Sequence, residues 1–372
     1  MSSTARLAAF VEAVRASGLV PAGEVEELAD AAEKSDADPE GLARDLIARG
    51  RLTAFQARRL WKGRGAELVL GPYVVLDKLG EGAMGEVFRA RHTRLDRDVA
   101  LKVMRPEKMA SAESVRRFRR EIHAAATLAH ENVVLAYDAD QSGDRHFFAM
   151  EYVDGPTLDR YVRDKGPLAV GEASDYVRQA ALGLEHAHQN GLIHRDIKPS
   201  NLLVSRAGVV KISDFGLVLV DDPNAPGASR LTKDGLTVGT PDFLAPEQAR
   251  NPRGADGRAD IYSLGCTFYY LLTGEVPFPG GTPTEKMARQ TREPVPVPNR
   301  ADVPPAVKSI LGRMTAKSPR DRYQSPGEVA EALEPFVRSL ASREGRPAPI
   351  VEEQLDDAAP TPKGQVATEV DG

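Results

Sequence analysis

Two short polar runs, a fixed distance apart, narrow the possibilities for this chain more than anything else in it. His194-Arg195-Asp196-Ile197-Lys198-Pro199-Ser200-Asn201 is followed by the apolar Leu202-Leu203-Val204, and Asp214-Phe215-Gly216 begins 13 residues after Asn201. A carboxylate, a lysine and two further oxygen-bearing side chains at this spacing suit phosphoryl transfer. That reaction asks for little covalent help; it needs in-line positioning and neutralisation of developing charge. Asn201 and Asp214 would ligate a metal, because hard cations take oxygen ligands. Asp196 would accept a hydroxyl proton, with Lys198 near the transferring phosphate.

Upstream, Gly80-Glu81-Gly82-Ala83-Met84-Gly85-Glu86-Val87 has the spacing G-x-G-x-x-G-x-V. Such glycines let a strand–turn–strand approach phosphate oxygens with no Cβ in the way. Taken alone, the run reads equally as a tight hairpin. It does not lead into a helix, which excludes the dinucleotide-binding turn. Lys102 lies inside an apolar strand, Val99–Val103, and burying its ammonium alone would be costly. Glu121, beside Ile122 and three residues after Phe118 on the next helix, is the expected partner. The pair reads either as a structural ion pair or as a lysine on the α- and β-phosphates, held in place by Glu121.

The texture changes twice along the chain. Residues 1–65 are expected to form a small all-helical module. Leu7, Phe10, Val11 and Val14 recur at steps of three and four, and Gly18 ends that pattern. Further helices are expected over about 24–34, from Pro39 (with Asp38 as N-cap and Gly50 past the end) and over about 53–61. Arg49, Arg51, Arg58, Arg59, Lys62 and Arg64 follow one another without an acid, which reads as a solvated helix face or as a docking patch. From Tyr73 to about 152 the chain reads as strands over 73–79, 87–91, 99–104, 133–137 and 146–152, with a loop at Asp140–Asp144. From about Leu158 it is mostly helical. The segment 341–372, with four prolines, many acids and almost no aromatics, reads as disordered.

Composition excludes other classes. With 49 Lys+Arg against 54 Asp+Glu the chain is slightly acidic, which argues against nucleic acid or an anionic membrane as main partner. A lone cysteine, Cys266, cannot form a disulfide scaffold and reads as a small buried hydrophobe. The apolar run Ile261–Leu272 falls short of the roughly 18–20 residues of a membrane span. Glu12 and Arg15 interrupt any secretory signal, so the expected compartment is the cytoplasm. His186 and His188 stand two apart on a helix, do not share a face, and are not read as a metal pair. Arg116, Arg117, Arg119 and Arg120 read as the solvated side of the Glu121 helix.

From about Tyr73 to Phe336 the chain resembles the eukaryotic-like serine/threonine protein kinases of bacteria. The resemblance rests on the Gly80–Val87 loop, Lys102, Glu121, Asp196 with Asn201, Asp214-Phe215-Gly216 and Ala245-Pro246-Glu247, all in the family's order. It implies an α+β, two-lobed fold over 73–336, β-rich then helical; the all-α module over 1–65 precedes it and lies outside the resemblance. It implies ATP as cofactor, with Mg²⁺ (Mn²⁺ as alternative) held by Asn201 and Asp214. Nucleotide contacts would come from Leu79, Gly80, Glu81, Gly82, Ala83, Met84, Gly85, Glu86, Val87, Ala100, Lys102, Glu151, Val153, Leu203 and Asp214, with Met150 as gatekeeper. Asp196, Lys198, Asn201, Lys102 and Glu121 would be catalytic. By the same resemblance Asp260 ties down the catalytic loop and Arg322 pairs with Glu247.

Lys198 two residues after Asp196, with Gly239-Thr240-Pro241 ahead of Ala245, resembles the serine/threonine-specific pattern, so protein Ser/Thr hydroxyls are the expected substrates. Asp242 departs from it. Arg195 beside Asp196 suggests an activation segment ordered by phosphorylation. Ser229, Thr232 and Thr237 lie in that segment, with autophosphorylation at Thr232 or Thr237 expected if they are more than ordinary polar loop residues. Residues 1–65 carry no nameable motif and read as a module that docks substrates, restrains the kinase or dimerises, a homodimer being one candidate activating assembly. A catalytically dead scaffold is disfavoured because Lys102, Asp196, Asn201 and Asp214 are all present. A small-molecule phosphotransferase is disfavoured by Arg195 and by Ala245-Pro246-Glu247.

Overall fold

The computed structural model describes residues 3–34, 39–215, 241–251 and 254–341. Asp38, Gly216, Ser229, Thr232, Thr237, Thr240 and the segment from 342 onward lie outside the described residues.

Four helices come first: α1 (Ser3–Ser17), α2 (Ala22–Lys34), α3 (Pro39–Ala48) and α4 (Ala54–Trp61). The apolar stripe on α1 buries Leu7, Phe10, Val11 and Val14, and Gly18 follows at φ +66°, a conformation that favours glycine. Thr53 caps α4 by accepting from Gln56 N–H, and the Gln56 side chain accepts from Thr53 N–H in return, a reciprocal capping box.

A six-stranded antiparallel sheet follows, built from β1 (Val69–Leu70), β2 (Tyr73–Glu81), β3 (Gly85–His92), β4 (Arg97–Met104), β5 (Ala136–Ser142) and β6 (Arg145–Glu151), in the order β1-β2-β3-β4-β6-β5. Its two faces separate cleanly by residue parity. Val99 and Leu101 of β4, with Phe147 and Ala149 of β6, share a core with Leu7, Phe10, Val14, Leu46 and Leu60 of the helices. Ala100 and Met104, with Phe148 and Met150, pack instead against Phe118 and Ile122 of α5 (Ala112–Ala125). A sheet covered on both sides explains why β6 is a nearly unbroken apolar run rather than an alternating one. The four helices are therefore not set apart from the sheet; they roof it.

Two bonds fix the roof to β2. The ladder between β2 and β3 slips at Val75/Asp77, which takes the carbonyls of Val75 and Leu76 out of regular pairing. Gln56 Nε2 donates to Val75 O at 2.8 Å and Thr53 Oγ1 donates to Leu76 O at 2.6 Å.

One strand expectation is corrected. The strand placed at 133–137 runs instead over Ala136–Ser142, through residues read as loop, because Asp140 pairs with Phe147 and Ser142 with Arg145 until Gly143 turns the chain at φ +61°. Val133 bridges Ile212 in the other lobe.

The helical lobe centres on α7 (Val170–Gln189) and α9 (Arg258–Thr273), with α6 (Leu158–Lys165), α8 (Pro246–Arg250), α10 (Pro283–Arg292), α11 (Pro305–Met314) and α12 (Pro326–Ala341) around them. Helix α9 is apolar nearly all round and buried nearly all round, Cys266 included. A short hairpin, β7 (Leu202–Val204) and β8 (Val210–Ile212), lies on this lobe and carries the two polar runs at its ends.

Candidate active site

The site lies where the sheet meets the helical lobe. Gly80 to Val87 forms the turn between β2 and β3, closed by Gly82 N–H to Gly85 O at 2.9 Å. Gly85 permits a close strand approach: a Cβ there would stand 2.0 Å from Val103 O. At Gly80 and Gly82 a Cβ would meet nothing of the protein, so these glycines leave room for something the chain does not itself supply.

The loop His194–Asn201 is anchored from below. Asp260, fully buried on α9, accepts from His194 N–H (2.9 Å), from Arg195 N–H (2.7 Å) and pairs with His188 Nε2 (2.9 Å). These bonds hold Arg195 at φ +65°, a strained conformation for a non-glycine residue. The His194 ring links the loop to the strand that follows β7: Nδ1 accepts from Asp196 N–H and Nε2 donates to Ser213 O at 2.8 Å. His188, set aside by its spacing, thus has a positioning role through Asp260. The clue was the buried aspartate, which needs more donors than the loop's own N–H groups. His186 does not join it and stacks on His130 at 5.1 Å.

Within the loop, Lys198 Nζ lies 2.7 Å from Asp196 Oδ2, and Asn201 Nδ2 donates to Asp196 O (2.8 Å) and to Oδ2 (3.2 Å). Asp196 Oδ1 has no hydrogen-bond partner among the described residues. Asn201 is buried and spends its amide N–H groups on Asp196, leaving its carbonyl oxygen free to ligate.

Lys102 does not pair with Glu121, contrary to the sequence expectation. Its ammonium reaches across the lobes to Asp214 Oδ1 at 2.7 Å. Burial alone would raise the Asp214 carboxyl, but the charge and hydrogen bond of Lys102, with smaller help from His194 and Lys198, hold it below the usual range. Asp214 sits at φ +65°, and Phe215 next to it is buried edge-on to His194. Glu121 is left with both carboxylate oxygens buried and without a partner among the described residues. Burial pushes its carboxyl up to about 7 against the opposing charges of Arg117 and Arg120. Both carboxyls are desolvated; the difference is the partner, because the Lys102 ammonium lies on Asp214 and leaves Glu121 with none among the described residues.

The linker between lobes runs through buried Met150 and Val153. The Glu151 side chain is committed to Lys211 Nζ at 2.9 Å and to Leu135 N–H, tying the sheet to β8. Val153 N–H donates to no group among the described residues. Ala100 is buried, and Val87 and Leu203 are half-buried. At the base of the helical lobe, Arg322 pairs bidentately with Glu247 at 2.6 and 2.8 Å. Asp242, the residue that departed from pattern, pairs with Lys286 at 2.7 Å.

The donor set fits a nucleotide with a hard cation. Asn201 and Asp214 offer oxygens only, and among the described residues no cluster of three or more His, Cys, Asp or Glu could cage a metal by itself. That suits a cation held by one or two protein oxygens and by the phosphates of its nucleotide.

Two glycine-turn strands above, an anchored His-Arg-Asp loop below and a lysine–aspartate pair between them define a phosphotransferase of two lobes. The family described as protein kinase domain matches residues 73–334, and the chain belongs to it. It is 40% identical over 269 residues to serine/threonine-protein kinase PknB of Mycolicibacterium smegmatis, covering 70% of this chain and 42% of the relative. It is 37% identical over 273 residues to serine/threonine-protein kinase PrkC of Bacillus subtilis, covering 73% and 41%. The chain thus spans about two-fifths of the length of these relatives. The crystal structure of the Mycobacterium tuberculosis PknI kinase domain superposes with a TM-score of 0.54 at 31% identity, covering 72% of this chain and 97% of that one. Members of the family use ATP and a divalent metal.

Proposed function

We propose that this chain transfers the γ-phosphate of ATP to Ser and Thr hydroxyls of proteins, its own Thr232 or Thr237 included. The observation that carries the reading is the Lys102–Asp214 pair, which joins residues 112 positions apart across the two lobes beside the anchored Asp196. Nucleotide phosphates would compete with Asp214 for Lys102, and Glu121 is the carboxylate on α5 left to fix the lysine once Asp214 turns to the metal. Asn201 and Asp214 would hold Mg²⁺, which when bound neutralises charge on the transferring phosphate. Asp196 Oδ1 accepts the proton of the incoming hydroxyl, while Lys198 and Asn201 hold Oδ2 and so aim the carboxylate. Leu79, Val87, Ala100 and Leu203 supply apolar contact for the base, with hinge backbone at Glu151 and Val153. The loop from Gly80 through Glu81, Gly82, Ala83, Met84, Gly85 and Glu86 covers the phosphates.

The test uses the full chain with γ-labelled ATP, Mg²⁺ and a generic basic protein. Label is expected on Ser or Thr. Asp196→Asn should lower turnover by about 10²–10⁴ while nucleotide binding persists. Wild-type protein that labels nothing, or an Asp196→Asn variant near full turnover, overturns the reading. For autophosphorylation, mass spectrometry should find phosphate on Thr232 or Thr237, at a rate that rises with protein concentration if a homodimer is the activating assembly. Unmodified threonines, with activity intact in the doubly Ala-substituted chain, reject that part.

A further inference from the structure

The helical roof and the sheet do not close completely. Between them lies a cleft of about 320 Å³ that shares Glu81 and Glu86 with the glycine turn and none of the other residues assigned to the nucleotide. Its apolar lining comes from Phe55, Leu68, Val75, Phe88 and Val103, with the Phe55 and Phe88 rings 5.9 Å apart. Its polar lining is unusual in sign. Arg59, Arg64, Arg105 and Arg145 converge on it, and only Glu67, Glu81 and Glu86 oppose them. The lining therefore sets four guanidiniums against three carboxylates, and two of those carboxylates, Glu81 and Glu86, are also bonded by Lys78 from outside it.

The surplus concentrates at one point. Three guanidiniums gather on the single carboxylate of Glu67: Arg59 at 2.7 Å, Arg64 at 2.5 Å and Arg145 at 3.5 Å. A guanidinium has five N–H donors in a rigid fork, and one carboxylate cannot satisfy three forks. Arg64 bonds Glu67 through Nε, and neither of its terminal amino groups has a partner among the described residues. Arg59 lies over the Phe55 ring at 5.0 Å and is mostly buried, which fixes its orientation.

We propose that this cleft binds a small phosphate monoester on an apolar or aromatic body. A phosphate oxyanion matches the excess of guanidinium over carboxylate and the arginine donors that Glu67 does not take up. The apolar part matches the Phe55–Phe88 lining. The volume is at the small end of ligand pockets, which suits a small molecule and not a folded partner. The site is coupled to the glycine turn, because Arg59 approaches Glu86 (3.9 Å), Glu86 and Glu81 share Lys78, and Arg105 reaches Glu81 and Gly82 O. An anion that draws Arg59 or Arg105 toward itself releases the turn.

The test titrates full-length protein with 1-naphthyl phosphate at low salt by calorimetry, with 1-naphthol and inorganic phosphate as half-ligands, in the presence of a saturating non-hydrolysable ATP analogue. Binding tighter than either half-ligand by at least tenfold is expected. It should weaken at least tenfold in Arg64→Ala/Arg145→Ala, with the thermal transition of that variant showing that it folds. Should the double variant not fold, the single Arg64→Ala, at a half-exposed side chain, reads the same loss. No binding, binding indifferent to these arginines, or binding abolished by the ATP analogue overturns the proposal.

Discussion

At the scale of single residues the two acids near Lys102 behave oppositely, and that difference is testable by pH. Glu121 titrates at about 7 in the fold against an ordinary 4.5, because burial penalises its charged form. The folded state then holds a proton that the unfolded chain has lost between those two values, so stability falls as pH rises from 4.5 toward 7 and levels off above. Glu121→Gln keeps the shape without the charge. We expect its stability to match wild type near pH 4.5 and to exceed it by on the order of 1–3 kcal/mol at pH 8, in urea denaturation. Phosphate transfer should fall in the same variant, since Lys102 loses the carboxylate that would fix it. A stability difference independent of pH would show that Glu121 is already ionised and solvated. Asp214, held below the usual range, titrates below this window. Asp214→Asn should therefore act through ligand binding: the Mg²⁺-dependent gain in nucleotide affinity should drop at least tenfold in equilibrium binding, without a new pH dependence above 5.

At the scale of elements, specific side chains fix how strands and helices meet. Gln56→Ala would leave the Val75 carbonyl buried and unpaired at the slipped register of β2, at a cost of about 1–3 kcal/mol. Gln56→Glu places a carboxylate against that carbonyl and should cost more; chemical denaturation of both variants checks the order. Glu247→Ala would strand the fully buried guanidinium of Arg322, and loss of one partner of such a pair costs about 3–5 kcal/mol. These elements were legible to different degrees. Helix α1 and strands β2 to β4 could be read from period and turn residues, and the anchored loop with Asp260 and Arg322 from its motifs. Strand β5 could not, because its residues are polar and partly exposed and only ladder pairing with β6 extends it through Asp140 and Ser142. The Lys102–Asp214 pair was also hidden. Sequence names Glu121 as the partner of Lys102 and Asp214 as a metal ligand; only the fold shows which of the two acids the ammonium reaches. Nor could spacing place His188, whose partner lies 72 positions away.

At the scale of the whole molecule, the first 65 residues bear on the kinase lobes through the sheet they cover. Sequence patterning showed four amphipathic helices, but gave no sign of where their apolar faces go. The answer lay in the sheet: Phe88, Leu101 and Phe147 are apolar on the side that would otherwise face water. Removing residues 1–65 would uncover that side, together with Tyr73, Val75, Val99 and Ala149, and would leave the slipped carbonyls of β2 without Thr53 and Gln56. A contiguous apolar patch of this kind is a liability in water. The truncated chain is therefore expected to bind a hydrophobic dye, to associate on gel filtration and to melt well below the full chain. Loss of phosphate transfer should follow from a loosened glycine turn, with nucleotide affinity falling first. Truncation alone cannot separate a roof from a simple inhibitory domain, so a second variant is needed. Phe10→Ala, inside the α1 packing and far from the site, should lower stability by about 3–5 kcal/mol if the roof and sheet form one cooperative core. Its unfolding should remain a single transition by both tryptophan fluorescence, reporting on Trp61 in α4, and circular dichroism. Two separated transitions, with the lobes melting as in the full chain, would instead make the helices an independent domain and remove the physical basis for coupling them to the glycine turn.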